Sequence, residues 1–226
     1  MKRRNFIRAL AMSAVVATAA SGPLLAQASD PSRFIARLAE QAVTKLTGPG
    51  ITPAERNNRF RTMFRDGFDG KGIARFALGR YTRVATEAEL AEYYRLFEEL
   101  IVQTYANRFA SYAGESLRVT GSRPGPDGDT IVTSELLRSN AAPVQVQWRV
   151  HRDGSGQKVS DIQVEGVSMI QTHRDDFAAA IQRGGGKVEA LLATLRSKTA
   201  QNAATANTPP LSANPARATQ PRSNPR

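Results

Sequence analysis

The chain has no cysteine, two histidines and one tryptophan among its 226 residues. Without a thiol it has no thiolate nucleophile, no disulfide framework and no cysteine-built metal centre, an absence that fits an oxidising compartment without proving one. With so few histidines, the best metal-ligand set is His173 beside Asp175 and Asp176. That set is partial, with no second cluster at ligand spacing. Long apolar runs are missing as well: the most apolar stretch, residues 9–20, falls short of the about 20 residues a membrane-spanning helix needs. Acidic residues are absent from the first 28 positions, which hold four of the chain's 31 Lys and Arg. This basic start, its weakly apolar core and the small residues Ala26-Gln27-Ala28 read as an export signal cut after Ala28. Lys2-Arg3-Arg4-Asn5-Phe6-Ile7-Arg8 gives it a twin-arginine character, with Sec as the alternative route.

The opposite end is poor in apolar residues. Residues 200–226 are mostly Ala, Asn, Thr, Ser, Pro and Arg with one Leu, a composition that cannot offset its own ordering entropy, and a disordered tail is expected there. Between the two ends, residues 29–199 have the length of one domain with a substantial core. The formal charge of +11 shrinks there to 24 basic against 20 acidic residues. The basic residues are scattered among acids, with no Lys or Arg run interleaved with aromatics, so a nucleic-acid surface is not expected.

Helical periodicity fills the first half of this domain. Residues 31–46 carry Phe34, Ile35, Leu38, Ala42 and Leu46 on one face. Thr52 and Pro53 open a second helix with Phe60, Met63, Phe64 and Phe68 as its apolar stripe, and a short helix with Ile73, Phe76 and Leu78 follows. Thr86 caps the longest helix, whose stripe of Leu90, Tyr94, Phe97, Ile101, Tyr105, Phe109 and Tyr112 is mostly aromatic. Period-two patterning then gives four strands at 115–122, 129–139, 143–152 and 157–167, joined by turn signals into an antiparallel meander. In the third, Val144, Val146, Trp148 and Val150 share the face expected to be buried. Helical spacing returns at Ile170, Phe177 and Ile181. It resumes past Gly184-Gly185-Gly186 at Val188, Leu191, Leu192 and Leu195. Helices, then an antiparallel sheet, then helices is an α+β order, with the long helix seated on the sheet.

Catalytic signals are weak. Ser168, His173 and Asp175 or Asp176 could be drawn into a Ser-His-Asp set, but no Gly-x-Ser-x-Gly elbow surrounds Ser168, which reads as a helix N-cap. His151 falls on the polar face of its strand. Gly184-Gly185-Gly186-Lys187 lacks the Ser or Thr that a phosphate loop places after its Lys. Asp161 is a candidate proton-transfer carboxylate for a pocket enzyme, yet as a strand residue it is expected to face out with Gln163 and Glu165. No catalytic residue, metal or cofactor is assigned.

The stretch 161–177, DIQVEGVSMIQTHRDDF, runs a strand through a Gly-Val-Ser junction into a helix. With Gly79-Arg80-Tyr81 and Thr104-Tyr105-Ala106-Asn107-Arg108-Phe109 upstream, it resembles the MlaC family, toluene-tolerance auxiliary proteins that carry phospholipid across the bacterial periplasm. The resemblance covers roughly residues 31–197. It implies a single α+β domain enclosing an apolar cavity that takes acyl chains and leaves the headgroup near solvent. It also implies a non-enzymatic periplasmic carrier that helps to maintain outer-membrane lipid asymmetry. The partners it implies are an inner-membrane ABC transporter complex with its MCE-domain protein and an outer-membrane lipoprotein complex. A hopanoid-associated branch of the family leaves a hopanoid as an alternative cargo.

On that cavity the expected lipid-facing side chains are Phe64, Phe68, Phe76, Tyr81, Phe97, Ile101 and Tyr105 from the helices. From the sheet and its exit come Val132, Val146, Trp148, Val150, Val164, Val167 and Phe177. Arg80, Arg108 and Arg174 are candidates for the mouth, because a guanidinium forks onto phosphate oxygens; a salt bridge or strand-edge contact is the alternative for each.

Overall fold

The computed structural model describes residues 30–139, 141–154 and 156–207; the expected export signal therefore lies outside the described residues. Helix α1 (Pro31–Leu46) is followed by α2 (Pro53–Gly67), α3 (Gly70–Leu78) and a 3-10 turn, Gly79–Arg83. The long α4 (Glu87–Ala106) ends in a second 3-10 turn, Asn107–Ser111. Strands β1 (Ser116–Pro124), β2 (Thr130–Arg138), β3 (Ala141–Asp153) and β4 (Gly156–Val164) make the meander, and β5 is the two-residue Val167–Ser168. Helices α5 (Met169–Arg183) and α6 (Val188–Asn207) complete the chain order.

Local chemistry sets the helix ends. Thr52 accepts from the amide of Glu55, and Thr86 and Glu89 form a reciprocal capping box at α4, so orphan amides of both first turns are satisfied. The buried Arg56 donates from Nε to the carbonyl of Leu46 at 3.0 Å and from Nη2 to that of Ile51 at 3.3 Å, closing the C-terminal end of α1. At the α5–α6 corner, a Cβ on Gly184 would lie 2.1 Å from that of Ala190, so only glycine lets the chain fold back that tightly.

The sheet order is β1-β2-β3-β4-β5, every neighbour antiparallel. Four strands were expected; the fifth arises because the final strand does not run straight through to Val167. Glu165 and Gly166 take positive φ, 49° and 80°, the mirror-image hairpin turn that glycine tolerates best. Val167 thereby returns opposite Val164 and Ser168 opposite Gln163, and Ser168 caps α5 by accepting from the amide of Gln171.

Two apolar clusters hold the fold. The first joins α3, α4, α5 and α6 through Tyr93, Phe97, Phe177, Ile181, Leu191, Leu192 and Leu195. The second is sandwiched between α1 and the sheet: Ile35 meets Val132, Val150 and Val159, with Trp148 and Phe68 against them. This corrects the expected seating of the long helix. The inward sheet face around Val132 and Val150 is covered by α1, while α4 packs mainly on α6 and α2. Arg196 of α6 reaches Glu92 of α4, and Arg61 and Arg65 of α2 reach Glu98 and Glu99. Helix α6 also continues to Asn207, into the segment expected to be tail. Its Ala-rich sequence is good helix former, and the chain reaches Pro209-Pro210 just beyond; residues 208–226 lie outside the described residues.

A candidate lipid site

A partly open apolar space of about 190 Å³ lies where α2, the end of α4 and the start of α5 come down on β4. Helix α2 contributes Phe60 and Phe64, at i and i+4 on one face, and Phe68 follows just past its C-terminal end. Ile73 of α3 and Ile101 and Tyr105 of α4 close the helical side. The sheet side is Val159, Ile162 and Val164. In plain alternation Val159 would oppose the other two, but Arg149 pairs with Asp161 and Val150 with Val159, so Ser160 is an extra residue. That bulge brings Val159 to the same face. Met169, Ile170 and His173 of α5 form the remaining wall.

Position is fixed from several directions. Phe68 leaves α2 in extended conformation and bridges to Val159, the amide of Asp69 donates to the carbonyl of Val159 at 3.0 Å, and Lys158 Nζ donates to the carbonyls of Arg65 and Asp66. The α2 terminus is thus tied to β4 by backbone and side chain together.

Few polar groups border the space. Tyr105 is half-buried, and burial pushes its phenol up against the opposing effect of the nearby Arg108 charge. The Arg108 guanidinium lies 5.3 Å from the Tyr105 ring centroid, and among the described residues no carboxylate pairs with it. Asp161, expected to face out, borders the space instead and accepts from the amide of Ile170 at 3.3 Å. His173 packs against Phe97 and Phe177. Burial holds its imidazole below the ordinary histidine value, against the pull of Asp176 and together with the charge of Lys198.

A larger groove of about 760 Å³ lies on the other side of Phe64 and Phe68. Its floor includes Ala74 and Phe97, and its rim carries Arg61, Arg65, Lys71, Arg95 and Lys158 together with Asp69, Glu98, Glu99 and Asp153. The groove and the apolar space share only Phe64 and Phe68 as lining residues.

Of the side chains expected to face lipid, Phe64, Phe68, Ile101, Tyr105 and Val164 line the apolar space, as does Arg108 from the mouth set. The others do not. Phe97, Tyr81 and Phe177 belong to the helical cluster. Val132, Val150 and Trp148 belong to the α1–sheet cluster, where the Trp148 indole donates to Ser134 Oγ. Val146 is buried beside that serine, opposite it in the β2–β3 ladder. Phe76 and Val167 are exposed. Arg174 stacks on Phe76 at 4.7 Å and Arg80 on its neighbour Tyr81 at 5.1 Å, both away from the space. For Val132, Trp148 and Val150 the cause is the placement of α1 rather than α4 over the sheet, and for Val167 it is the reversal at Glu165 and Gly166.

Sequence reasoning missed Ile73, Val159, Ile162, Met169, Ile170 and His173 as lining residues. Phe60 was legible in the α2 stripe; Val159 was not, because a bulge leaves no mark in the alternation. The Ser168, His173 and Asp175 set does not assemble: Ser168 caps α5, Asp175 accepts from Gln171, and His173 faces the aromatic rings. His151, expected in solvent, is half-buried with Nε2 3.9 Å from Asp69. Among the described residues no group of three His, Cys, Asp or Glu is placed to hold a metal ion, and no helix is long and apolar enough to cross a membrane.

A family model described as MlaC protein matches residues 36–197. The chain is 25% identical over 122 residues to the toluene tolerance protein ttg2D of Pseudomonas putida, covering 54% of this chain and 57% of that one. It is 22% identical over 128 residues to the intermembrane phospholipid transport system binding protein MlaC of Haemophilus influenzae, covering 55% and 59%. It thus spans a little over half the length of these curated relatives. Among solved structures, the phospholipid-binding protein from Ralstonia solanacearum, in complex with a phospholipid, shares the fold at a TM-score of 0.69 and 24% identity, over 77% of this chain and 99% of that one.

Proposed function

The chain belongs to the MlaC family, and on that footing we propose that it is a non-enzymatic periplasmic lipid carrier whose cargo is a two-chain phospholipid. The observation that carries the reading is the apolar space between α2, α4, α5 and β4, with Arg108, which has no carboxylate partner among the described residues, at its edge. The solved relative holds a phospholipid on the same fold, which supports the class of cargo. In this reading the protein exchanges lipid with an inner-membrane ABC transporter complex and its MCE-domain component, and with an outer-membrane lipoprotein complex.

The energetics require enclosure. Exposing about 30 methylenes at ~0.8 kcal/mol each costs on the order of 20 kcal/mol, so unassisted transit through water is negligible. Nor can the protein hold the chains much better than a bilayer does, or delivery fails. Volume then decides what must move. Two acyl chains are much larger than an apolar space of about 190 Å³, so loading must widen it. The pair Phe64 and Phe68, which lines both this space and the adjoining groove, is the partition that would move.

Organic extraction of the purified protein with mass spectrometry tests the reading. Near-stoichiometric two-chain lipid is expected, and Val164→Trp, which fills the apolar space, should strongly reduce it while leaving the fold stable. Purified protein that carries no lipid and takes none from vesicles would overturn the assignment.

A further inference from the structure

Arg108 borders two spaces. Besides the apolar one, it lines a separate surface pocket of about 200 Å³ with Phe109, Tyr112, Glu115, Leu136 and Arg138. The position follows from the chain path: the 3-10 turn after α4 carries Arg108 and Phe109 past the end of the helix, and Ser116 pairs with Leu137 at the start of β1. The pocket therefore opens beside the sheet, next to the mouth of the apolar space.

Its walls are chemically mixed in a specific way. Arg108 has cation–π contact with Tyr105 and no ionic partner among the described residues. Arg138 donates to the carbonyl of Ala142 at 2.8 Å, which leaves further guanidinium donors. Glu115 is held in place by the amide of Ala113 at 2.8 Å, and that hydrogen bond, first among its causes, keeps the carboxyl below the usual carboxylate range. The Tyr112 hydroxyl donates to the Glu115 backbone carbonyl at 2.8 Å, which ties its ring to the same residue. Phe109 supplies a second ring.

Two guanidinium groups take a phosphodiester, and a carboxylate sharing a pocket with aromatic rings suits an ammonium or trimethylammonium group. We propose that the Arg108, Arg138, Glu115 pocket is a headgroup subsite selecting zwitterionic phospholipids, with the phosphate on the arginines and the ammonium between Glu115 and the rings. The inference rests on the carrier reading and deepens it. A phosphatidylglycerol carries the same phosphate but only neutral hydroxyls where the ammonium would sit, so it gains the arginine contacts without the charge-assisted contact to Glu115.

The test offers delipidated protein to vesicles of equal parts phosphatidylethanolamine, phosphatidylcholine and phosphatidylglycerol, then removes the vesicles and quantifies the lipid retained. The wild type should hold the two zwitterionic lipids in about fivefold excess over their share. Glu115→Gln keeps an acceptor for the Ala113 amide and should bring the ratio to that of the vesicle by lowering retention of the two zwitterionic lipids, with phosphatidylglycerol retention unaffected. Arg108→Gln should lower retention of all three. Retention by the wild type in the vesicle ratio, an excess of phosphatidylglycerol, or a zwitterionic excess that survives Glu115→Gln would each overturn the subsite while leaving the carrier reading intact. A wild type that retains no lipid of any headgroup would overturn both.

Discussion

Phe64 and Phe68 stack with their ring centroids 5.2 Å apart and 29° between planes, and the pair stands between the apolar space and the charged groove. The C-terminal end of α2 and its exit residue thus supply both the packing of the helix on β4 and the partition between the two spaces.

Phe68→Ala should remove half of that partition. Phe68 is partly buried and touches both apolar clusters, so a cost of ~3 kcal/mol is expected, at the low end of large aromatic truncations. Lipid uptake from vesicles should become faster, because the enlarged space no longer waits on ring displacement. Chemical denaturation measures the first effect and stopped uptake assays the second; slower uptake would contradict the partition.

His173 gives a pH dependence of known sign. Its folded value is depressed by burial, so the unfolded chain takes up a proton below the ordinary value of about 6.5 while the folded chain resists. The stability tied to the neutral ring is therefore present above that pH and lost as pH falls toward the folded value, at up to about 1.4 kcal/mol per pH unit. Urea denaturation of the wild type and His173→Leu should show the difference between them constant above neutral pH. Below pH about 6.5 the wild type should lose ground. A constant difference down to pH 5 would show that the ring titrates normally.

Tyr93 is fully buried and its hydroxyl donates to the carbonyl of Ala74 at 2.8 Å, which joins α4 to α3. Burial pushes its phenol far up. Alkaline titration followed in the ultraviolet should leave this one tyrosine silent until the protein unfolds, and Tyr93→Phe should cost about 1 kcal/mol and remove the late step.

Truncation separates helix from tail. Thr199 is buried and bonds back to the carbonyl of Leu195, so the last stretch of α6 participates in packing. A chain cut after Asn207 should melt with the full-length protein. A cut after Lys198 should lower the midpoint by roughly 3 °C, the scale of a 1 kcal/mol loss in a domain of this size.

The helices and the meander were legible because amphipathic period and turn chemistry are local. Thr52, Thr86 and Ser168 all cap helices as their positions suggest to the eye of pattern alone. What failed was pairing between elements. Nothing in the stripe of α4 distinguishes a sheet from α6 as its partner, and nothing in α1 announces that Ile35 will take the face of Val132 and Val150. Tyr93 was hidden for a related reason: it sits beside the expected stripe, and the buried arc of α4, once flanked by several helices, is wider than one seam. The Ser160 bulge and the Glu165–Gly166 reversal depend on strand pairing, so no single-strand pattern carries them.

The tie between Phe68 and Val159 also makes α2 a lever. Its C-terminal end is fastened to β4, so widening the gap beneath it must come from tilting about that point. Phe60 stands eight residues back along the helix, about 12 Å at 1.5 Å per residue. A tilt of ~15° would swing its ring roughly 3 Å, while the fastened end hardly moves. Phe60 touches Phe109 across that gap, ring centroids 6.4 Å apart, and Phe109 follows Arg108 directly in the chain. Phe60 therefore stands beside the residue that borders the mouth.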